Sequence, residues 1–208
     1  MYEKKEKSYA VIALTYYFIL LIAFVWMGIL LKDGVKSYYW IYWSLFIVAI
    51  LIVWIKDKSF VNLGFTKEKL KSNLLISFGM ILSGILIVIA ISDLSIGRIL
   101  KATCYYLFYI AMVEEVLFRG FIQSYLFGFS ENKKLIYCFG GICFALMHLP
   151  FQMYVHNNVS ISYVIQRLPS LFYIVILHLL FCYITSKRKD ITIPIAFHFL
   201  IDFLQDVL

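Results

Sequence analysis

The chain has 208 residues, of which 63% are hydrophobic and only 15% charged, and it carries a net charge of +7. Soluble domains run near 45–50% apolar and about 25% charged, and a domain of this size leaves too much chain at its surface to hide such an excess from water. A soluble enzyme, a nucleic-acid binder or a disordered regulator does not fit; an integral membrane protein does, and length alone gives one domain.

The first apolar run, Tyr9 to Leu31, holds no charge and follows Lys4, Lys5 and Lys7. At 1.5 Å per residue it spans the roughly 30 Å hydrocarbon core. It is too long for the apolar region of a signal peptide and no small-residue cleavage site follows, so a retained helix is predicted. The second run, Tyr38 to Ile55, starts with Trp and Tyr, which favour the membrane interface. A Lys-rich polar stretch, Lys56 to Ser72, reads as a surface segment near anionic lipid with a short helix. The third run, Asn73 to Ile91, has Gly79, Ser83 and Gly84, small residues that let another helix approach closely.

The fourth run, Ile99 to Phe127, contains Glu114, Glu115 and Arg119. The fifth, Leu135 to Leu149, is expected to kink or end at Pro150, with a more polar connection over 151–168. The sixth is Leu171 to Ser186, and the cluster Lys187, Arg188, Lys189, Asp190 separates it from a seventh, Ile191 to Leu208. The fold class predicted is therefore an all-α polytopic bundle of about seven transmembrane helices with a polar intramembrane cavity. Cys104, Cys138, Cys143 and Cys182 all fall inside apolar runs without a C-x-x-C pair and read as small buried hydrophobes.

Seven passes allow a charge test. With the N-terminus inside, the inner segments hold three basic residues before the first run, five over 56–72, two over 128–134 and three over 187–190. The outer segments hold Lys32, Lys36, Arg98, Lys101 and Arg167. That bias places the N-terminus in the cytoplasm. The richness in Lys, Ile, Phe and Tyr points to a low-GC bacterium, so a bacterial cell membrane is the expected location.

Each charge near the centre of a span costs about 2.5–3.5 kcal/mol, so such residues are paired, face a polar cavity, or do work. Glu115 and Arg119 stand at i and i+4, on one face, and are expected to pair. Glu114 is turned about 100° away and has Phe118 at i+4, so its partner must come from another helix. His148 in the fifth run and His198 in the seventh are candidates, and His198 shares a face with Asp202 by the same i, i+4 spacing. A cavity between the fourth, fifth and seventh helices would collect them all. A carboxylate and an imidazole can hold a water and take its proton as it attacks a carbonyl. Arg119 beside Glu115 keeps that carboxylate ionised and leaves Glu114 to move protons, while a second His fixed by Asp202 can donate to the developing oxyanion. No G-x-S-x-G motif argues for a serine enzyme. His178, without an acidic neighbour in sequence, reads as a helix-packing hydrogen bond, and His156 as solvated. The aromatic residues at 38–43 and 104–109 read as packing and interface residues.

Three motifs in order, Glu114-Glu115-x-x-x-Arg119, Phe144-x-x-x-His148 and His198-x-x-x-Asp202, resemble the CPBP family: the CAAX prenyl endopeptidases and bacteriocin-processing enzymes, also called the Abi family. The resemblance implies a catalytic core over 99–208, with 1–98 as accessory membrane helices. It implies an intramembrane endopeptidase in which Glu114 and His148 activate water, His198 and Asp202 stabilise the oxyanion, and Glu115 and Arg119 support Glu114. Eukaryotic CAAX enzymes look like Asn users at the last position. Asp202 cannot donate a hydrogen bond unless protonated, so orienting His198 is the role expected of it. No cofactor is expected. Two His with carboxylates also make a zinc set, the less favoured alternative, and no H-E-x-x-H occurs. The expected partners are the lipid bilayer and a membrane-associated or lipidated peptide substrate, with no nucleic acid. Processing of a bacteriocin or pheromone precursor, or self-immunity, is the family-level expectation. Two other readings remain at this point: a non-catalytic membrane regulator of a sensor kinase or other membrane protein, and a small proton-coupled transporter, against which the lack of an inverted repeat counts.

Overall fold

In lipid every backbone N–H and C=O must be satisfied within the protein, and an apolar segment can do this alone only as a helix. The computed structural model describes residues 2–35 and 38–208, and the apolar runs are all helical. They form α1 (Lys7–Lys32), α2 (Tyr38–Asp57), α3 (Leu70–Ile91), α4 (Ile96–Leu126), α5 (Lys133–Val155), α6 (Ile161–Arg188) and α7 (Thr192–Val207). The all-helical bundle expected from composition is present. Among the described residues, 6 helices are long and apolar enough to cross a membrane. The last helix, α7, has 16 residues, about 24 Å of rise and short of the hydrocarbon core. Lys36, counted above with the outer segments, lies outside the described residues.

Helix α1 packs along α5, α3 along α7, and α5 along α6, while α4 runs through the middle against α7 and α1. Tyr16 on α1 donates to the Leu45 carbonyl on α2 at 2.8 Å, and Tyr17 donates to the Cys143 carbonyl on α5 at 2.9 Å. These bonds fix helix positions where apolar packing against apolar lipid supplies little direction. Of the small residues in α3, Gly84 makes the close approach: a Cβ there would lie 2.7 Å from Leu200 of α7. Gly79 faces open space and Ser83 bonds back to the Met80 carbonyl at 2.8 Å.

Several sequence expectations are corrected. Pro150 neither ends the fifth helix nor leaves a polar connection over 151–168: α5 runs through it to Val155, and α6 begins at Ile161. The extension is held by α1, where Gly28 lets the backbone at Phe151 and the side chain of Tyr154 come so near that a Cβ would sit 2.9 Å from each. Cys104 and Cys138 are exposed, on helix faces turned out of the bundle; only Cys143 and Cys182 are buried. His156 is exposed just past α5, as expected.

The Lys-rich stretch after α2 is not simply a surface segment. A 3-10 turn at Val61–Leu63 brings Leu63 inward to 3% exposure, and Gly64 follows in the left-handed region at φ 93°. The Ile191 amide donates to the Gly64 carbonyl at 3.0 Å, and the Thr66 hydroxyl donates to the Lys189 carbonyl at 2.7 Å. The N-terminal segment closes over the same end, with Tyr2 buried and its hydroxyl donating to the Arg119 carbonyl at 2.8 Å. Gly120 of α4 lies against the Leu63 backbone, and a Cβ there would be 2.6 Å from the Leu63 carbonyl carbon. Backbone cannot swing aside as a side chain can. Gly120→Ala is therefore expected to destabilise by about 1–3 kcal/mol, the usual cost of overpacking, seen as a lower melting temperature in detergent; Gly79→Ala should leave it unchanged.

Candidate active site

Helix α4 is not uniformly α-helical. Tyr105–Ala111 and Val116–Ile122 are π-helical, and a four-residue α-helical stretch, Met112–Glu115, lies between them. Such widened turns recur at functional sites because they re-aim side chains without breaking the helix. Glu114 and Glu115 stand on the stretch between, and Arg119 is in the second widened segment. The i, i+4 pair expected from sequence forms: Arg119 Nη1 lies 2.9 Å from Glu115 Oε1, and both side chains are fully buried. The guanidinium also lies over two rings, with Cζ 4.0 Å from the Phe144 centroid on α5 and 5.1 Å from that of Phe181 on α6. Rings there offer the cation a negative face in place of water.

Helix α7 contributes His198. Its Nδ1 is 2.8 Å from Glu115 Oε1, and its Nε2 is 3.2 Å from Asp202 Oδ2 and 3.8 Å from Glu114 Oε2. Glu114 thus meets a partner from another helix, as its isolation on α4 required. Asp202 contacts His198 as their shared face predicted. The contact from Glu115 to His198 was not visible in the sequence; it depends on the angle at which α7 crosses α4.

Glu114, Arg119, His148, His198 and Asp202 all line one cavity of about 880 Å³. Glu115 stands just behind its wall. His148 is partly exposed, with its ring 5.1 Å from that of Phe144. His178 is outside the cavity and fully buried, 2.9 Å from Gln123 Oε1 and 3.2 Å from Cys182 Sγ, the packing role expected of it. The cavity extends to Leu31, Tyr38, Gln152, Arg167 and Asp206. Leu31 and Gln152 lie near the ends of α1 and α5, Tyr38 and Arg167 near the starts of α2 and α6, and Asp206 near the end of α7. The opposite end, which carries most of the lysines, is closed by the Leu63 turn and the N-terminal segment. Tyr38, Tyr42, Tyr105, Tyr106 and Tyr109 wall the cavity, so the aromatic runs are more than packing and interface residues. Apolar neighbours and interfacial placement masked this role.

Both His198 ring nitrogens face carboxylate oxygens. Among the described residues no three His, Cys, Asp or Glu side chains gather as a metal-holding group.

Comparison with known families matches residues 97–204 to the Rce1-like type II CAAX prenyl endopeptidases. The match covers just over half of the chain and includes all six residues singled out above. The chain belongs to this family. It is a family of proteases, and the CAAX family resemblance of the three motifs is thereby established. No curated protein and no solved structure matches the chain.

The buried pair gives a stability prediction. Arg119→Met leaves the Glu115 carboxylate in the core with His198 as its remaining partner, and breaking a buried pair in this way costs about 3–5 kcal/mol. Asp202, with its side chain 30% exposed, is at the cavity surface. Asp202→Asn can keep its contact with His198 through the amide oxygen and is expected to melt close to wild type. Thermal denaturation of the three proteins in one detergent compares them.

Proposed function

We propose that the protein is an intramembrane endopeptidase that hydrolyses a peptide bond in a membrane-associated or lipidated peptide. The observation that carries this reading is the meeting of Glu114, His148, His198 and Asp202 around one cavity inside an otherwise apolar bundle. Glu114 lines this cavity, and its Oε2 has no hydrogen-bond partner among the described residues. Glu114, with His148, takes a proton from that water as its oxygen attacks the scissile carbonyl carbon. The C–O bond forms and the carbonyl π pair moves onto oxygen. Collapse of the tetrahedral species breaks the C–N bond, and the proton held by Glu114 passes to the leaving nitrogen. Glu115 holds His198 in place and Arg119 pairs with Glu115. No metal takes part. General acid–base groups of this kind contribute about 10²–10⁴-fold.

The N-terminus is cytoplasmic in this reading, by the excess of basic residues at the closed end of the bundle. The cavity mouth then opens toward the opposite face, and the peptide reaches it from that side or from the adjoining leaflet. Precursors of exported peptides, bacteriocins and pheromones among them, are the substrates this favours.

The test is cleavage of a panel of membrane-inserted peptides, with and without a lipid chain, by purified protein in nanodiscs. Glu114→Ala and His148→Ala are each expected to lose at least about a hundredfold in rate, and a chelator to change nothing. Loss of activity with chelator would restore zinc. Cleavage that survives both substitutions, or no cleavage by wild type, would sink the proteolytic reading and favour a non-catalytic regulator. For orientation, Gln152→Cys in a cysteine-free background should react in intact cells with a membrane-impermeant maleimide, and Lys67→Cys should react only after lysis. The reverse pattern would invert the topology.

A further inference from the structure

The site gathers acceptors around one cavity. Glu114 and Asp202 accept hydrogen bonds and, as carboxylates, donate none. Each His198 ring nitrogen faces a carboxylate oxygen. The Arg119 guanidinium faces Glu115 in a 2.9 Å ion pair and is fully buried, with Nε and Nη2 unpartnered among the described residues. Hydrolysis through a tetrahedral species nevertheless needs a donor aimed at the oxygen on which negative charge develops.

Tyr42 on α2 supplies one. It lines the cavity, is only 4% exposed, and its hydroxyl has no hydrogen-bond partner among the described residues. A buried hydroxyl without a partner costs about 1–3 kcal/mol, which a fold retains where the group has work outside its own packing. The ring is held by aromatic neighbours on two helices, with centroids 6.1 Å from Phe24 of α1 and 5.2 Å from Tyr109 of α4. Tyr42 and Glu114, the group that takes the water's proton, line the same cavity. By contrast, the hydroxyl of Tyr16 is spent on the Leu45 carbonyl at 2.8 Å, and that of Tyr106 on Asp206 Oδ2 at 2.9 Å.

We propose that Tyr42 is a catalytic residue that donates its hydroxyl hydrogen to the oxyanion of the tetrahedral intermediate. It lies outside residues 97–204, so the helices before the matched region contribute a reacting group as well as a wall. The inference rests on the proteolytic reading above. Its step moves no proton: the O–H bond stays intact while its hydrogen bond shortens as charge grows on the substrate oxygen.

The probe is whichever peptide of the nanodisc panel wild type cleaves fastest. Tyr42→Phe keeps the ring and removes the hydroxyl. We expect kcat to fall at least about a hundredfold with KM unchanged, the size seen when one oxyanion donor is removed. The pH–rate profile should keep its shape and position, and the melting temperature should not fall, because the hydroxyl bonds to nothing in the resting fold. Tyr16→Phe, which loses a helix-to-helix bond, should lower the melting temperature. Wild-type kcat in Tyr42→Phe overturns the proposal and leaves the proteolytic reading standing. So does a rise in KM alone, or a displaced pH profile, which would make Tyr42 a positioning residue for Glu114. No cleavage by wild type overturns both.

Discussion

Oε1 of Glu115 is met at 2.9 Å by the Arg119 guanidinium and at 2.8 Å by His198 Nδ1, with no water-exposed surface on either residue of the ion pair. A carboxylate in that position is tolerable only because both partners are there. Arg119 in turn needs the faces of Phe144 and Phe181, and its backbone carbonyl takes the Tyr2 hydroxyl. One carboxylate therefore links α4, α5, α6, α7 and the N-terminal segment. In a bilayer, where apolar faces gain little by meeting one another rather than lipid, such a polar centre gives the bundle a direction that packing alone does not. His198 is positioned by the interaction that holds the bundle together. The orientation of the candidate site and the stability of the fold are one problem for this chain.

The same centre separates two unlike ends. On the lysine-rich side, backbone meets backbone: Gly120 against Leu63, the Gly64 carbonyl with the Ile191 amide. Asn62 ties the turn to its neighbours, donating to Asp57 Oδ2 at 2.7 Å and accepting from the Ser124 hydroxyl at 2.8 Å. These polar contacts need no lipid and exclude water from below the ion pair. On the other side the helices diverge around the cavity, and the walls are tyrosine and phenylalanine rings. A water layer that reaches Glu114 thus comes from one side, and the low-dielectric closed end keeps charge interactions near Arg119 strong.

Much of this was legible in the sequence. Charges in apolar runs are expensive enough that Glu114, Glu115, Arg119, His198 and Asp202 had to find one another, and the i, i+4 spacing named two of the contacts in advance. Periodicity and composition placed α1 to α4 and α7 to within a few residues, while α5 and α6 run beyond their expected bounds at Leu149 and Leu171 to Val155 and Ile161. Pro150 reads from sequence as a kink or a stop, but the helix continues through it to Val155, packed against Gly28 of α1. The polar stretch after α2 looked solvated because lysines outnumber Leu63, the residue that turns inward. Tyr42 was unreadable for a different reason. A tyrosine near the start of a span is expected at the interface, and only the packing of α2 against α4, with Tyr42 on Tyr109, brings it to the cavity that Glu114 also lines. Side chains whose role depends on helix crossing leave no periodic trace.

Residue 202 shows how chemistry and fold constrain each other. An amide there would offer a donor to the substrate oxygen while its own oxygen faced His198. A carboxylate holds His198 more firmly, since a charge-assisted contact is stronger than a neutral one, but it offers that oxygen nothing. In the proposed hydrolysis the substrate oxygen then needs a donor from elsewhere in the lining. In the tyrosine wall of the same cavity, Tyr42 and Tyr109 carry buried hydroxyls without a hydrogen-bond partner among the described residues. The aspartate therefore shifts the demand for a donor from α7 to α2 and α4. That ties the chemistry of the matched region to a helix that precedes it.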